Sequence, residues 1–547
     1  LCARALHEVP ALLDAAARAV EAGCWVAGFV AYEAGAALDS ALPARATDGP
    51  PLAWFGVYDA PEQTTLDAAP QPPALAWTPA LDEAAYREGV ARIRGHIAAG
   101  DTYQVNLTFP LRAAFDGDPL AWFAALAQGR HGGHAAYVDT GSHAILSLSP
   151  ELFFALDGEQ ITCRPMKGTR PRGRWSAEDL AIAEALAAAD KDRAENLMIV
   201  DMVRNDLGRI AEGGSVQVAR LFEVERYPTV WQMTSTVTAR TRADLPGIFA
   251  ALFPSASVTG APKIKTCELI HALEPGPRGV YCGAVGWWGP DRQARFNVAI
   301  RTITVDRARG TAVYPVGSGI VWDSDPAQEY RECLQKAALL RPATPGFDLL
   351  ETLRHDTGGY HLLDEHLERM AASATYFGFP VDVGHWRDTL AKAARDFPEG
   401  TQRVRALLDP GGALRVEHAP LPAPRPWRVA LAQAPVDSTD RFLYHKTTHR
   451  AVYDQARAAR PDCDDVILHN ERGELTEACF GNLVLEIDGA RLTPALPAGL
   501  LPGTFRRVLL ARGEITEATL TPADLHRASQ VWIINSVRRW VPTEIEV

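Results

Sequence analysis

FNVAIRTITVDRARGTAVYPVGSGIVW, residues 296 to 322, contains two runs, 296–305 and 311–322, in which apolar and β-branched residues alternate with polar ones. A period of two marks a half-buried strand. AAYVDT (135–140) and AILSLS (144–149) read the same way, and the Ala-rich DLAIAEALAAADKDRAENLMIVDMV (179–203) reads as helix. Long strands dominate over any regular strand–helix alternation, which predicts an α+β domain with antiparallel sheets rather than a doubly wound one.

Working outward, RPATPGF (341–347) follows an apparent helix, EYRECLQKAALL, and precedes a new pattern, FDLLETLRHDTGGYHLLDEHLERM. Pro342 and Pro345 stop the helix and stiffen the connection, so we expect domains at 1–341 and 347–547 with a linker at 342–346. The second part alternates strands (RVRALLD, WRVALAQ, DDVILHN, NLVLEIDG, QVWIINS) with helices such as KTTHRAVYDQARAAR, again α+β. A Pro-rich stretch at 70–82 reads as crossing the surface of the first domain, and no period of 20 to 50 residues repeats.

At 547 residues the chain exceeds the roughly 250 to 300 at which one core stops growing, in keeping with two domains. With 47% hydrophobic and 22% charged residues it reads as an ordinary globular protein, and a net charge of −12 gives no electrostatic reason to bind nucleic acid or an anionic membrane. The 8 cysteines include no C-x-x-C pair, which argues against a zinc site or a disulfide framework and suits a reducing cytoplasm. The longest apolar run, AGCWVAGFVAY (22–32), is too short for a bilayer span of about 20 residues, and no signal-peptide pattern precedes it. The chain opens on Leu1 rather than Met, so a few preceding residues are expected.

Asp192 and Glu195 lie three apart on a predicted helix, and Glu329 and Glu332 repeat that spacing, so each pair shares a helix face. Two such faces brought together suit Mg2+, which takes a few carboxylate oxygens, waters and an anionic substrate group; alone, each is an ordinary solvated face. Lys263 after a tight turn, Arg301 on a strand, and Gly317 and Gly319, where backbone amides can approach an anion, suit carboxylate binding. RPMKGTR (164–170) sets Lys167 beside a Gly-Thr turn signal.

In order, SPELFF, RPMKGTR, AENLMIVDMVRNDLGR, FPSASVTGAPKIKTCELI, GVYCGAVGWW, FNVAIRTI and GSGIVWDSDPAQEY resemble the chorismate-utilising enzymes, the family of anthranilate, aminodeoxychorismate and isochorismate synthases, across most of residues 85 to 341. The resemblance implies a two-sheet sandwich holding chorismate and Mg2+ between its sheets. It implies Glu195 and Glu332 as metal ligands with Asp192 and Glu329 beside them, and Lys263, Tyr281, Arg301 and Gly317, Ser318 and Gly319 as contacts to the substrate carboxylates. Gln104 stands where isochorismate and salicylate synthases carry a water-activating lysine, so attack by water is disfavoured. Lys167 stands where anthranilate synthases have a small residue, and a lysine there marks the aminodeoxychorismate branch. The implied path has Lys167 adding to ring carbon 2 while Glu151 protonates the departing carbon-4 hydroxyl; ammonia then enters and expels the lysine. Arg164, Arg170 and Lys263 are the cations expected to lower the lysine's pKa. Gln232 replaces a histidine frequent in the family and is expected to act as a contact only. AGFVAYEAG is assigned a structural role in the first sheet.

In the second part, Lys446 before a helix, a glutamate about thirty residues on and a glycine-led helix start suit pyridoxal 5'-phosphate: amine for the carbonyl, carboxylate for the ring nitrogen, amides for the phosphate. HLERMAASATYFGF, K-x-x-x-R, TEACFGN, LPGTFRR and INSV resemble the fold-type IV, or class IV, aminotransferase-like enzymes over 346 to 547. That resemblance implies Lys446 as the cofactor lysine, with Arg369, Arg450, Glu477, Asn482, Thr504, Phe505, Asn535 and Ser536 around the cofactor. Fused to an aminodeoxychorismate-forming half, such a domain is expected to be a lyase that releases pyruvate and 4-aminobenzoate for folate. A true class IV aminotransferase is the enzymatic alternative, and a degenerate interaction module the non-enzymatic one. Without a recognisable glutaminase domain, a separate glutamine amidotransferase subunit is expected to supply ammonia, and class IV relatives imply a homodimer through the second domain.

Overall fold

The computed structural model describes residues 1–66, 73–127, 133–340 and 346–546. Residues 70–72 of the Pro-rich stretch and all of the expected linker except Gly346 lie outside them. The chain forms two compact units, one of residues 1–171 and 183–344 and the other of residues 172–182 and 345–547. The division does not follow chain order: 172–182, expected within 1–341, groups with the second unit, where the Arg172 and Asp179 side chains are buried. Among the described residues no helix is long and apolar enough to cross a membrane.

Unit 1 holds two antiparallel sheets. The larger has 10 strands and runs Cys2–Ala3, Ala53–Tyr58, Trp25–Val30, Ala284–Gly289, Gln293–Val298, Leu152–Asp157, Gln160–Arg164, Val230–Arg240, Met166–Pro171, with Gln217–Arg226 also on Val230–Arg240. The smaller runs Gly260–Ala261, Gln104–Ala114, Thr311–Ile320, Thr302–Asp306, His143–Ser149, His134–Asp139, with Thr78–Pro79 beside Gln104–Ala114. Phe29 and Val285 of the first sheet share a core with Ile145 of the second, which stacks the sheets face to face.

The run 296–305, expected to be a single strand, changes sheet. Residues up to Val298 pair with Leu152–Asp157 in the larger sheet, and Thr302–Asp306 pairs with His143–Ser149 in the smaller. Arg301, expected on a strand, stands at the crossover in the left-handed region at φ 51°, which costs a non-glycine residue about 1 kcal/mol. The Ala-rich run likewise breaks into Ser176–Ala188 and Asp190–Gly208 at an extended Ala189. The second helix drives Ile199, Val200, Val203 and Leu207 into the larger sheet's core. Pro326–Lys336 starts where Asp325 accepts the Gln328 N–H at 2.8 Å with proline at the first helical position, the expected chemistry of a helix start.

RPMKGTR is not a turn. Met166–Pro171 is a strand whose register against Val230–Arg240 jumps from Met166↔Thr234 to Thr169↔Gln232, so Lys167 and Gly168 together oppose Met233. Such a bulge bends the strand and re-aims a side chain. Gly168 has φ +90°, and a Cβ on it would lie 3.0 Å from the Asp192 Cβ, so glycine is required there.

Unit 2 has a four-stranded antiparallel sheet, Gly359–Tyr360, Leu349–Asp356, Gln402–Leu408, Leu414–Pro420. Helices Leu363–Phe377 and Val383–Ala394 share its apolar core. Its 8-stranded sheet closes a ring: Leu475–Ala478, Asp465–His469, Trp427–Leu431, Arg539–Glu546, Gln530–Asn535 and Gly481–Ile487, which pairs back to the first. Helix Ala451–Ala458 begins five residues after Lys446, so that lysine is not at a helix start; its carbonyl accepts the Leu350 N–H at 2.9 Å.

Candidate active sites

In unit 1 the bulge places Lys167 against the strand carrying the glycines. A Cβ on Gly319 would lie 3.0 Å from Lys167 Nζ and 2.3 Å from Gln104 Nε2, so only glycine lets the two side chains meet there. Gln104 is fully buried, and neither its amide nitrogen nor its oxygen has a hydrogen-bond partner. A buried amide left unpaired calls for a polar ligand. Gln232, expected to contact substrate, instead clamps the bulge, donating from Nε2 to the Gly168 carbonyl at 2.9 Å and accepting from Thr169 Oγ1 at 2.8 Å. Asn196 donates to the Lys167 and Met233 carbonyls at 3.4 Å each and accepts from Ser235 at 2.6 Å.

Burial pushes the Glu151 carboxyl up to about 7, against hydrogen bonds from Ser257 and the Met166 amide and the charges of Lys167 and Arg301. A carboxylic acid that keeps its proton near neutrality is suited to general acid work. Burial also lowers the Lys167 pKa, with Glu195, Glu151 and Glu332 opposing and Lys336 assisting. The cations expected to assist are occupied elsewhere: Arg164 by Glu225, Arg170 by Asp192 at 2.6 Å and Lys263 by Asp206 at 2.7 Å. The assisting Lys336 was missed, although its spacing of four from Glu332 was legible; it bonds Glu332 at 3.0 Å and the Gly317 carbonyl at 2.8 Å.

Of the expected magnesium ligands, Asp192 forks with Arg170, Glu329 accepts from Ser324 at 2.8 Å and Glu332 pairs with Lys336. Burial raises the Glu195 pKa, as do the charges of Asp192 and Glu329, while Lys167 and Lys191 oppose. Among the described residues the one trio of ligand atoms within 4.8 Å of one another is Asp462, Cys463 and Glu546 in unit 2, so these four carboxylates are not drawn together that tightly. Asp192 and Glu329 crowd Glu195 with like charge that a divalent cation would relieve, and in that sense these hard oxygen donors fit magnesium.

The expected carboxylate contacts divide. Arg301 and Glu151 act on one another's charge, and burial lowers the Arg301 pKa. Tyr281 is buried in the larger sheet's core, and burial holds its hydroxyl protonated. Lys263 is neutralised by Asp206. Ser318 lies on the opposite face of its strand from the glycines; its hydroxyl meets Tyr86 at 2.8 Å in the core, leaving only its backbone for a ligand.

In unit 2, burial brings the Lys446 amine down to about 8, assisted by Arg369 and Arg450 and opposed by Glu351 and Glu477. Burial pushes Glu477 up to about 7. It accepts from Tyr453 at 2.8 Å, the Leu501 N–H at 3.1 Å and Asn482 at 3.1 Å. Arg450 donates to the Cys479 carbonyl at 2.6 Å and lies 4.6 Å from the Tyr453 ring centre. Arg369 forks onto Glu351 at 2.8 and 2.6 Å. Glu351 also takes His366 at 2.6 Å, and these two partners hold its carboxyl at about 2 although burial alone would raise it. The far nitrogen of His366 reaches Ser536 at 2.9 Å and Thr504 at 3.3 Å. One network therefore joins Arg369, Thr504 and Ser536 through Glu351 and His366, which sequence reasoning missed; His366 stood in the quoted helix three residues before Arg369.

Thr504 opens helix Thr504–Ala511, where the first amides are free for an anion. The Phe505 ring is core, packed with Val484, Leu509 and Ile534, so only its amide can serve. Asn535 is spent on its own turn, accepting from Val537 and Arg538, and donates to the Phe480 carbonyl. A buried amine with a depressed pKa, a buried acid acting on its charge, and an arginine with two hydroxyls near a helix start fit the carbonyl, ring nitrogen and phosphate of pyridoxal phosphate.

Residues 3–342 match the family of chorismate binding enzymes, and residues 348–544 match amino-transferase class IV. The chain is 48% identical over 257 residues to the aminodeoxychorismate synthase of Streptomyces griseus, covering 46% of this chain and 35% of that one. It is 40% identical over 287 residues to aminodeoxychorismate synthase component 1 of Klebsiella aerogenes, covering 52% and 62%. It thus spans about a third to three-fifths of the length of these curated relatives. The solved anthranilate synthase component I from Streptococcus pneumoniae TIGR4 superposes with a TM-score of 0.53 at 27% identity, over 60% of this chain and 85% of that one. The chain therefore belongs to the chorismate binding enzymes through residues 3–342 and carries a class IV amino-transferase domain through residues 348–544.

Proposed function

We propose that the protein makes 4-aminobenzoate from chorismate and ammonia in two stages. Unit 1 replaces the carbon-4 hydroxyl of chorismate by an amino group, and unit 2 splits the product into pyruvate and 4-aminobenzoate. The observation that carries the reading is Lys167, set on its bulge beside Gln104 and acting electrostatically on a Glu151 whose carboxyl titrates at about 7. A water-activating lysine in place of Gln104 would favour hydroxylation, and a small residue at 167 would leave carbon 2 open to ammonia itself.

The neutral Lys167 amine forms the bond to ring carbon 2 as both ring double bonds shift and the carbon-4 oxygen leaves with the Glu151 proton as water. Ammonia then bonds carbon 4, both double bonds return and the lysine departs, so one water is released per ammonia consumed. Glu195 and Glu332, with Asp192 and Glu329 beside them, would hold magnesium, which would bind the substrate carboxylate and offset its charge. In unit 2, Lys446 takes the carbon-4 proton and returns a proton to the enolpyruvyl methylene as the ring carbon–oxygen bond breaks. Glu477 would hold the ring nitrogen of pyridoxal phosphate, and Arg369, Thr504, Ser536 and the amide of Phe505 would hold its phosphate. Pyridoxal phosphate, when bound, supplies an electron sink. A relative named as component 1 supports the existence of a companion component, and we assign to it the delivery of ammonia as a glutamine amidotransferase subunit.

The test is product analysis with chorismate, ammonium, magnesium and pyridoxal phosphate. Equal amounts of 4-aminobenzoate and pyruvate are expected, Lys167→Ala abolishing both and Lys446→Ala leaving aminodeoxychorismate to accumulate. Anthranilate as sole product would overturn the reading, and exchange of amino groups with a keto acid without pyruvate release would make unit 2 an aminotransferase.

A further inference from the structure

Unit 2 includes eleven residues remote from the rest of it in sequence, Arg172–Ile182. They are tied in by specific chemistry. Arg172 donates from Nε and Nη2 to the two oxygens of Asp179 at 2.8 and 2.6 Å, and both side chains are under a tenth exposed. Gly173 donates to Asp179 Oδ1 at 2.8 Å, and a Cβ on it would sit 2.3 Å from the Asp179 amide nitrogen, so the turn admits only glycine. Arg172 also donates to the Tyr376 carbonyl at 3.0 Å, Tyr376 returns its hydroxyl to the Gly173 carbonyl at 2.7 Å, and Ser176 reaches the Ala372 carbonyl at 3.2 Å.

The segment bears on the loop that carries the reactive amine. The Trp175 ring lies 5.1 Å from that of Tyr444, two residues before Lys446, and packs on the cluster that also holds Tyr453 and Cys479. Tyr453 is the hydroxyl donor to Glu477. Arg174 covers the Trp175 ring at 4.7 Å and reaches the Tyr444 hydroxyl at 3.3 Å. Tyr376, anchored to Gly173, lies 4.2 Å ring to ring from His445, which Ser373 binds at 2.9 Å. Both residues preceding Lys446 are thus braced by this segment or by its anchor.

We propose that Arg172–Ile182 is a positioning element of the pyridoxal-phosphate unit: Trp175 and the Gly173–Tyr376 clasp fix the loop Tyr444–Lys446 and the Tyr453 brace on Glu477. Residues whose place in the chain puts them five positions after Lys167 complete the other reaction's site. The proposal rests on Lys446 and Glu477 being that site's reactive pair.

The test uses the full chain with Trp175→Ala, Trp175→Phe and Tyr376→Phe, the last removing a single hydroxyl. Three readouts are taken: hydrogen exchange of residues 443–450 without added cofactor, the pH midpoint of the bound cofactor's absorbance, and kcat and KM for pyruvate release from supplied aminodeoxychorismate. Trp175→Ala is expected to speed the exchange and lower kcat by roughly tenfold each, with KM changed less than about twofold and the absorbance midpoint displaced. Trp175→Phe should restore all three, and amination of chorismate should be unaffected. Exchange and midpoint matching the parent in both Trp175→Ala and Tyr376→Phe would overturn the proposal. Should Trp175→Ala not accumulate as folded protein, Tyr376→Phe decides alone: faster exchange supports, unchanged exchange refutes. A parent that releases no pyruvate sinks the proposed function, while exchange and absorbance still judge the positioning role.

Discussion

Replacing Glu151 by glutamine should make the protein more stable at alkaline pH while disabling amination. The Glu151 carboxyl titrates at about 7 when folded and near its ordinary 4.5 when unfolded. Its folded pKa is raised, so the stability it contributes is fully present below about 4.5 and is lost as pH rises through about 7. That span of about 2.5 pH units, at about 1.4 kcal/mol each, sets a ceiling of about 3 kcal/mol lost by pH 8. Glutamine carries no proton to lose and can still accept from the Met166 amide. At about 2 °C per kcal/mol for a unit of this size, the melting temperature of Glu151→Gln relative to the parent should rise by up to about 6 °C between pH 5 and pH 8. Calorimetry of substrate-free protein, following the transition of unit 1, measures it. In parallel, amination should fall by about 10² or more, the scale of a lost general acid. A difference between the two melting curves that does not change with pH would refute the placement of that proton.

Gly168→Ala puts a Cβ at φ +90° and 3.0 Å from the Asp192 Cβ; it should cost about 1–2 kcal/mol in denaturant unfolding and reduce amination further than that loss accounts for, whereas a normal amination rate would show that the bulge does not aim Lys167. Glu195→Gln removes the most carboxylate-crowded of the expected magnesium ligands, and half-maximal amination should then need about tenfold more magnesium or worse, measured by titration with chorismate saturating. The Lys446 amine is held at about 8, so capture of added pyridoxal phosphate, followed by absorbance, should accelerate with pH to a plateau with its midpoint near 8; a profile flat from pH 6.5 to 9 would contradict the assigned environment.

What the sequence made legible was whatever a local pattern controls. Alternation found the strands, and ordered motifs singled out Glu151 with Lys167 and Lys446 with Glu477, pairs whose charges act on one another in the folded chain. What it missed was set by tertiary partners. Nothing within FNVAIRTITV marks where the chain passes from one sheet to the other, because both halves alternate correctly and only the partners of Val298 and Thr302 differ. The Gly168 signal was real, but a glycine at positive φ serves a turn and a bulge equally, and the register against Thr234 and Gln232 decides between them. Ser318 was grouped with its flanking glycines by adjacency, whereas the period of a strand sends it to the opposite face. Gln232 drew attention as a substitution at a functional position, yet its amide is engaged by the bulge, donating to the Gly168 carbonyl and accepting from the Thr169 hydroxyl.

The pKa values of the two proposed reactive lysines are lowered through different balances of charge. Burial leads in both, but Lys446 has two arginines assisting and two carboxylates opposing, whereas Lys167 has one lysine assisting and three carboxylates, Glu195, Glu151 and Glu332, opposing. Two of those three are expected magnesium ligands and the third is the expected acid. In the proposed reaction each of these charges would be compensated or absent: Glu151 by holding its proton, Glu195 and Glu332 by a bound magnesium ion. The carboxylates around Lys167 favour its ammonium form against the burial that disfavours it, so neutralising them would lower its pKa further. Lys446 is bordered by Arg369 and Arg450, whose charges add to the effect of burial, while Glu351 and Glu477 oppose it.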